Sequence, residues 1–227
     1  MNETLLDNPA WSALNSEHAD FAMGSARAKR YRPGVVPFTA CRNAQEGIEE
    51  LIPWMTKGET FFIIGHLPVL PPHWSLEHEL PCAQMVLAQT PPAVARQHDA
   101  ATVEELRAED AHDMFQLINL VQPGYYHADT RLLGTYYGIR QNGMLVAMAG
   151  ERMRMTGFAE LSAIATHPEH TGRGYAQRLI EQLCGMHAAK GITSFLHVAT
   201  TNERAIRLYE HMGFRQRREI SFHKVRG

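Results

Sequence analysis

The sequence predicts an α/β (α+β) protein: a mixed, mostly antiparallel twisted sheet flanked by helices. Three observations predict it. An Asn142-Gly143 pair sits between two apolar runs, Thr135 to Arg140 and Met144 to Met153, and such a turn is a strong hairpin signal. Ala176, Leu179, Ile180, Leu183 and Cys184 repeat with helical spacing, and Gly191 comes after them as a natural C-cap. Short apolar runs on either side, Phe158 to Thr166 and Phe195 to Ala199, read as strands.

Asp7, Asn8 and Pro9 read as a helix start, and the basic run Arg27 to Arg32 reads as a solvated face. Val35 to Cys41 reads as a strand interrupted by Pro37. Asn43 then caps a helix from Ala44 to Met55, and Phe61 to Ile64 forms a buried strand. Six of the twelve prolines fall between Pro68 and Pro92, which predicts loop and edge-strand structure, with one strand at Ala83 to Ala88. A boundary near residue 95 separates an N-terminal strand–helix–strand half, 1–95, from a better patterned domain, 96–227. Val103 to Arg107 reads as a strand. Asp110 caps a helix bearing Met114, Phe115, Ile118 and Val121; the alternative starts that helix at Thr102, with Glu105 closing a capping box. Asn202 caps a short helix that ends at Gly213, and Phe214 opens a last strand toward His223.

Bulk properties narrow the function. The chain has 227 residues and a formal net charge of −2, so nothing suggests nucleic acid or an anionic membrane as a partner. Cys41, Cys82 and Cys184 form no CxxC pair, which fits a reducing cytoplasm rather than a disulfide framework. The N-terminus lacks the basic and apolar regions of a signal peptide, and no apolar run has the length of a membrane span. His66, His73, His78 and Cys82 match no zinc spacing, so no metal is expected.

The chemistry-bearing segment runs from Ala165 to Ala176. A strand enters a turn containing Gly172 and Gly174, and the turn opens an amphipathic helix. The free N–H groups of the first helical turn suit a pyrophosphate, and Arg173 adds a charge. About thirty residues on lies the run Asn202, Ala205, Leu208, Tyr209, Glu210, Gly213 and Phe214. Together, Thr171-Gly-Arg-Gly-Tyr-Ala176 and Asn202-x-x-Ala-x-x-Leu-Tyr-Glu-x-x-Gly-Phe214 closely resemble the GNAT N-acyltransferase superfamily, in particular a branch that includes glycine N-acyltransferase-like proteins. The resemblance is specific over 158–214, extends over about 100–223, and is faint over 1–95, which would then be a degenerate copy of the same lobe.

The resemblance implies an acyltransferase that moves an acetyl group from acetyl-CoA to a primary amine of a small molecule, amino acid or peptide, as a monomer or homodimer. The alternative is a GNAT-fold module that binds CoA without catalysis. Ile164, Ala165 and Thr166 would pair with the pantetheine arm. Thr171, Gly172, Arg173, Gly174, Tyr175 and Ala176 would hold the pyrophosphate, and Asn202 would bond near the pantetheine. Thr171 departs from the usual Gln or Arg at that position. Tyr209 is the candidate acid beside the sulfur. The base is Glu160 or His197, with Glu151 a weaker third. Tyr125, Tyr126 and His127 lie in a loop that shapes the acceptor pocket in this family.

Overall fold

A computed structural model of the protein describes residues 2–43, 47–89 and 101–227. In chain order the elements are α1 (Pro9–Leu14), β1 (Ala22–Gly24), β2 (Ala28–Tyr31), β3 (Phe38–Cys41), β4 (Thr60–Ile64), β5 (Ser75–Leu87), β6 (Val103–Leu106), α2 (Ala111–Val121), β7 (Tyr136–Gln141), β8 (Met144–Met155), β9 (Phe158–Thr166), α3 (Tyr175–Ala189), β10 (Thr193–Ala199), α4 (Glu203–His211) and β11 (Phe214–Arg226). Short 3₁₀ turns join several of them, among them Glu3–Asp7 and Ile48–Trp54.

The eleven strands of the described residues lie in one sheet, in the order β1-β2-β3-β4-β11-β5-β10-β9-β8-β7-β6. Among them β3/β4 and β9/β10 pair in parallel, and the other pairs are antiparallel. Read inward from both ends, the sheet repeats itself. β1-β2-β3-β4 leads to β11, and, inside the extra edge strand β6, β7-β8-β9-β10 leads to β5. Each half thus receives its innermost strand from the other half. The residue-95 boundary lies outside the described residues, but across it the two halves share one continuous sheet.

One face of the sheet packs against the N-terminal segment and α2. Leu6, Ala10, Ala13 and Leu14 meet Phe38, Val86, Phe158, Phe195 and Phe222 there, and Met114, Leu117 and Ile118 cover the adjoining strands. The other face packs against α3 and α4, through Leu179, Ile180, Leu183, Tyr209 and Met212 on Leu161, Leu196, Val198 and Phe214.

Several sequence expectations change. β5 is central, not an edge strand, and it carries Pro81. The proline is tolerated because its ladder with β10 ends one residue later, at Cys82 opposite Ala199, and its carbonyl still accepts from Thr200 N at 3.0 Å. The start of the expected 44–55 helix lies outside the described residues. The rest of that segment is a 3₁₀ turn, Ile48–Trp54, entered from Gly47 at φ 98° and containing Pro53. β3 starts only after Pro37. The helix start at Thr102 is overturned, since Val103–Leu106 is a strand paired with β7. The hairpin, α2, α3 and α4 form where expected, with Asn142 and Gly143 both at positive φ and Asn202 capping α4 through Ala205 N at 3.2 Å. Among the described residues no helix is long and apolar enough to cross a membrane. Also among them, no group of three or more His, Cys, Asp or Glu is placed to hold a metal.

Candidate active site

The site is built where β9 and β10 part. They pair at Phe158–Thr193, Ala159–Ser194 and Glu160–Phe195. Beyond that, β9 continues to Thr166 against β8, and β10 continues to Ala199 against β5. The result is a V-shaped opening. Among the described residues, the backbone groups of 161–166 and 196–199 that face each other across it have no ladder partner there. Backbone groups so placed seek a partner. Ile164, Ala165 and Thr166 line this stretch.

A bulge sits in the V. Met148 pairs with Ala165 and Gly150 with Ser162, so β9 carries an extra residue there, and Ala163 adopts φ 50°. A non-glycine residue in that conformation costs about 1–3 kcal/mol, and bulges re-aim backbone groups. No residue pattern in β9 signals this feature.

At the wide end of the V, α3 begins. Gly174 is its N-cap at φ 74°, and Gly172 lies at φ 78°. A Cβ at Gly172 would meet nothing within 4 Å, so the loop is open to close approach from outside. Thr171 and Arg173 are exposed, and the Thr171 hydroxyl donates to Pro168 O at 3.2 Å. Tyr175 buries its side chain in the core, so only its backbone faces the loop, and Ala176 is half-buried. The N–H groups of such a first turn, together with the helix dipole, suit an anion. Asn202 is exposed, across the V at the start of α4.

Glu160 and His197, read as alternatives from sequence, are one unit. His197 Nδ1 lies 2.7 Å from Glu160 Oε1. Arg152 donates to both carboxylate oxygens of Glu160, at 2.9 and 2.6 Å. Burial would raise the Glu160 carboxyl, but the Arg152 charge and the hydrogen bonds from Arg152 and His197 outweigh it and hold the carboxyl at about 2. The Arg152 guanidinium also lies over the rings of Phe38 and Phe222, 5.1 and 5.6 Å from their centroids. Arg152 reaches Glu160 because β8 bulges between Glu151 and Arg154.

Tyr209 lies across the sheet from this unit, on the α4 side, packed edge-on against Phe214 with centroids 6.1 Å apart. It is 9% exposed, and burial pushes its phenol up to about 12. Glu151 is placed elsewhere. It accepts from Thr135 N at 2.6 Å and pairs with His187 Nε2 at 3.0 Å under α3, so it does not join Glu160. Tyr125 packs on Phe62 of β4, and Thr130 of the same loop donates to Val35 O, so the 123–133 loop docks on the N-terminal half.

Tyr136 carries no sequence signal of a role, yet it joins Tyr126 beside the site. The hydroxyls of both are buried without a hydrogen-bond partner among the described residues, and their rings meet edge-on at 6.0 Å. Tyr136 lies flat over Gly150, where a Cβ would come within 2.2 Å of the ring. Gly150→Ala is therefore expected to displace Tyr136 and destabilise the protein by about 1–3 kcal/mol, as overpacking does. Chemical denaturation measures it; a variant as stable as the parent would mean that the ring moves without cost.

Known proteins share this fold. A family model described as FR47-like protein matches residues 136–223. A crystal structure described as an acetyltransferase from the GNAT family of Novosphingobium aromaticivorans DSM 12444 is 33% identical, covers 97% of each chain and superposes with a TM-score of 0.86. The chain belongs to the GNAT family. A GCN5-related N-acetyltransferase-like protein from Streptococcus suis shares the fold over 97% of this chain and 96% of its own, with TM-score 0.63 at 13% identity. Among curated proteins, the N-alpha-acetyltransferase RimI of Mycobacterium tuberculosis is 37% identical over 84 residues, which is 36% of this chain and 52% of that protein. The chain thus spans about half the length of that relative. The GNAT likeness to the Novosphingobium protein extends over both halves of the sheet, including the N-terminal half where sequence motifs were faint.

Proposed function

We propose that the protein transfers an acetyl group from acetyl-CoA to a primary amine of a small molecule, an amino acid or a peptide N-terminus. The observation that carries the reading is the V between β9 and β10, which ends on the Gly172–Gly174 turn at the start of α3. A pantetheine amide chain fits the unpaired backbone of 161–166 as a strand would, and a pyrophosphate fits the helix start. Thr171, Gly172, Arg173, Gly174, Tyr175 and Ala176 hold the phosphates, chiefly by backbone N–H. Ile164, Ala165, Thr166 and Asn202 hold the pantetheine. The N-alpha-acetylation named for the mycobacterial relative supports an N-terminal amine as one acceptor class.

The chemistry needs a neutral amine, a donor for the developing oxyanion, and help for the departing thiolate. In this reading the amine gives a proton to His197, whose imidazolium is stabilised by Glu160. The re-aimed backbone at Ala163 donates to the oxyanion. Tyr209 meets the sulfur. Its phenol, pushed up to about 12, stays protonated through the neutral range, so it stabilises the thiolate by donating a hydrogen bond. The partnerless hydroxyls of Tyr126 and Tyr136 lie on the same face as Glu160, where an acceptor would arrive. The mirrored strand order supports reading 1–95 as a degenerate copy of the same lobe, and three buried free thiols support a cytoplasmic setting.

Acetyl-CoA at about 100 times its Kd should stabilise the protein by about 2.7 kcal/mol, visible as a thermal shift. No shift would remove the CoA site. Thiol release over a panel of peptide and small amines then separates an enzyme from a non-catalytic CoA-binding module. Tyr209→Phe is expected to lower turnover by roughly 10²-fold while leaving acetyl-CoA affinity intact. Unchanged turnover would remove Tyr209 from the mechanism.

A further inference from the structure

The ring nitrogens of His197 are both engaged, and the second partner comes from the other half of the molecule. Gln84, in the middle of β5, pairs directly with His197 across the β5/β10 ladder. It is 0% exposed. Its Nε2 lies 3.0 Å from His197 Nε2 and donates to Leu6 O at 2.8 Å, while its Oε1 accepts from Arg217 Nη1 at 2.8 Å. These partners fix which end of the amide is which. A carbonyl oxygen only accepts, so the atom beside Leu6 is nitrogen. A guanidinium only donates, so the atom beside Arg217 is oxygen. The amide group facing His197 is therefore a donor, and His197 Nε2 must accept. The ring proton then sits on Nδ1, where the Glu160 carboxylate accepts it.

We propose that Gln84 is a positioning residue for His197, holding its ring neutral with the proton on Nδ1 and the lone pair on Nε2. A second proton on Nε2 would point at the Gln84 N–H₂, donor against donor. Turning the amide over would instead set its N–H₂ against Arg217 and its oxygen against Leu6 O, so two good contacts oppose the turn. The charged groups around the ring are Glu160 on β9, Arg152 on β8 and Arg217 on β11, with Asp7 and Glu3 behind Arg217. Arg217 is aimed at Gln84 by the β11 bulge between Gln216 and Arg218. The N-terminal half thus contributes a residue, Gln84, and a backbone carbonyl, Leu6 O, to the state of the base. For Nε2 to take up the amine's proton, the Gln84 N–H₂ must give up its contact with the ring and keep only its bond to Leu6 O.

The protonation pattern does not depend on the acyl-transfer reading; its catalytic consequence does. The test is a long-range ¹H–¹⁵N correlation spectrum of the histidine rings in the full-length, ¹⁵N-labelled protein at neutral pH, with His197 assigned by its loss in His197→Gln. The parent should show Nδ1 protonated and Nε2 pyridine-like. Gln84→Glu keeps the Arg217 contact, gives up the bond to Leu6 O and offers an acceptor to Nε2, so both nitrogens should then carry protons. In the same variant, turnover with the best amine should fall at least about 10-fold at unchanged acetyl-CoA affinity. A parent ring protonated on Nε2 overturns the proposal without recourse to any variant of Gln84. A Gln84→Glu ring identical to the parent's overturns it equally. If the parent fails to bind acetyl-CoA, the acyl-transfer reading falls while the ring spectrum still decides the role of Gln84.

Discussion

Residues 96–227 expressed without the preceding chain are expected not to fold. Within that fragment β11 has no neighbour, because both strands beside it, β4 and β5, come from the first half. Phe214, Ile220, Phe222 and Val225 would lose most of their burial. At about 1.5–3 kcal/mol for each such side chain, the loss is roughly 6–12 kcal/mol, as large as the whole net stability of an ordinary domain. β10 would also become an open edge, inviting aggregation. Circular dichroism and amide dispersion of the fragment check this. A cooperative melting transition in the isolated fragment would refute it. Co-expression with residues 1–95 is expected to restore solubility, because that piece supplies both missing neighbours.

The second large effect is at Glu160. Glu160→Ala leaves the mostly buried Arg152 guanidinium without its carboxylate, and breaking a buried pair from one side costs about 3–5 kcal/mol. For a chain of this size that lowers Tm by on the order of 10 °C. The pair also sets an acid dependence. The folded carboxyl, at about 2, lies below its ordinary value of 4.5. The unfolded chain therefore binds more protons between those values. The stability that Glu160 contributes is complete above about pH 4.5 and is lost as pH falls toward 2; its size is on the order of 3 kcal/mol. Other paired carboxylates, Asp7 and Glu151 among them, are also lowered, so the informative quantity is the difference between variants. Glu160→Gln should show a flatter acid limb than the parent in denaturation between about pH 5 and 2.5. Parallel limbs would mean that Glu160 is not the ionised partner of Arg152. Restoring an apolar pair, Glu160→Leu with Arg152→Met, should recover much of the stability lost in the single variant.

The C-terminal half was legible because its signals are local. The Asn142-Gly143 turn, the helical repeat from Ala176 to Cys184 and the Asn202 cap each act within a few residues, and each forms as read. The glycines of the turn before α3 were legible for the same reason. The relations between distant strands were not. Nothing in Ser75–Leu87 announces that β5 will lie between β10 and β11, and its proline argued against a central place. Gln84 did leave a trace, as a lone amide in the apolar run Ala83 to Ala88, but its partners at Leu6, His197 and Arg217 are set by tertiary pairing. Glu160 and His197 stood apart in the sequence; the parallel register that sets Phe195 beside Glu160 brings them together. From Gly47 onward the expected helix gave way to a 3₁₀ turn: Gly47 takes a left-handed conformation that a helix cannot use, and Pro53 lacks a donor, where the apolar spacing alone suggested a helix.

The exchange of innermost strands also orders events on the ribosome. Of the eleven strands described, β11 is synthesised last, and it is the one that joins β4 to β5. Until it emerges, β4 and β5 each expose an unpaired edge, and the buried row Phe61 to Ile64 has no neighbour on that side. The first half therefore cannot complete its folding before β11 has emerged; it must wait for the last strand of the second. Such a chain closes through contacts more than about a hundred residues apart, which makes folding slow and leaves nascent edges exposed to other chains. That exposure of β-edges during synthesis is a consequence of the strand order alone, whatever the protein acetylates.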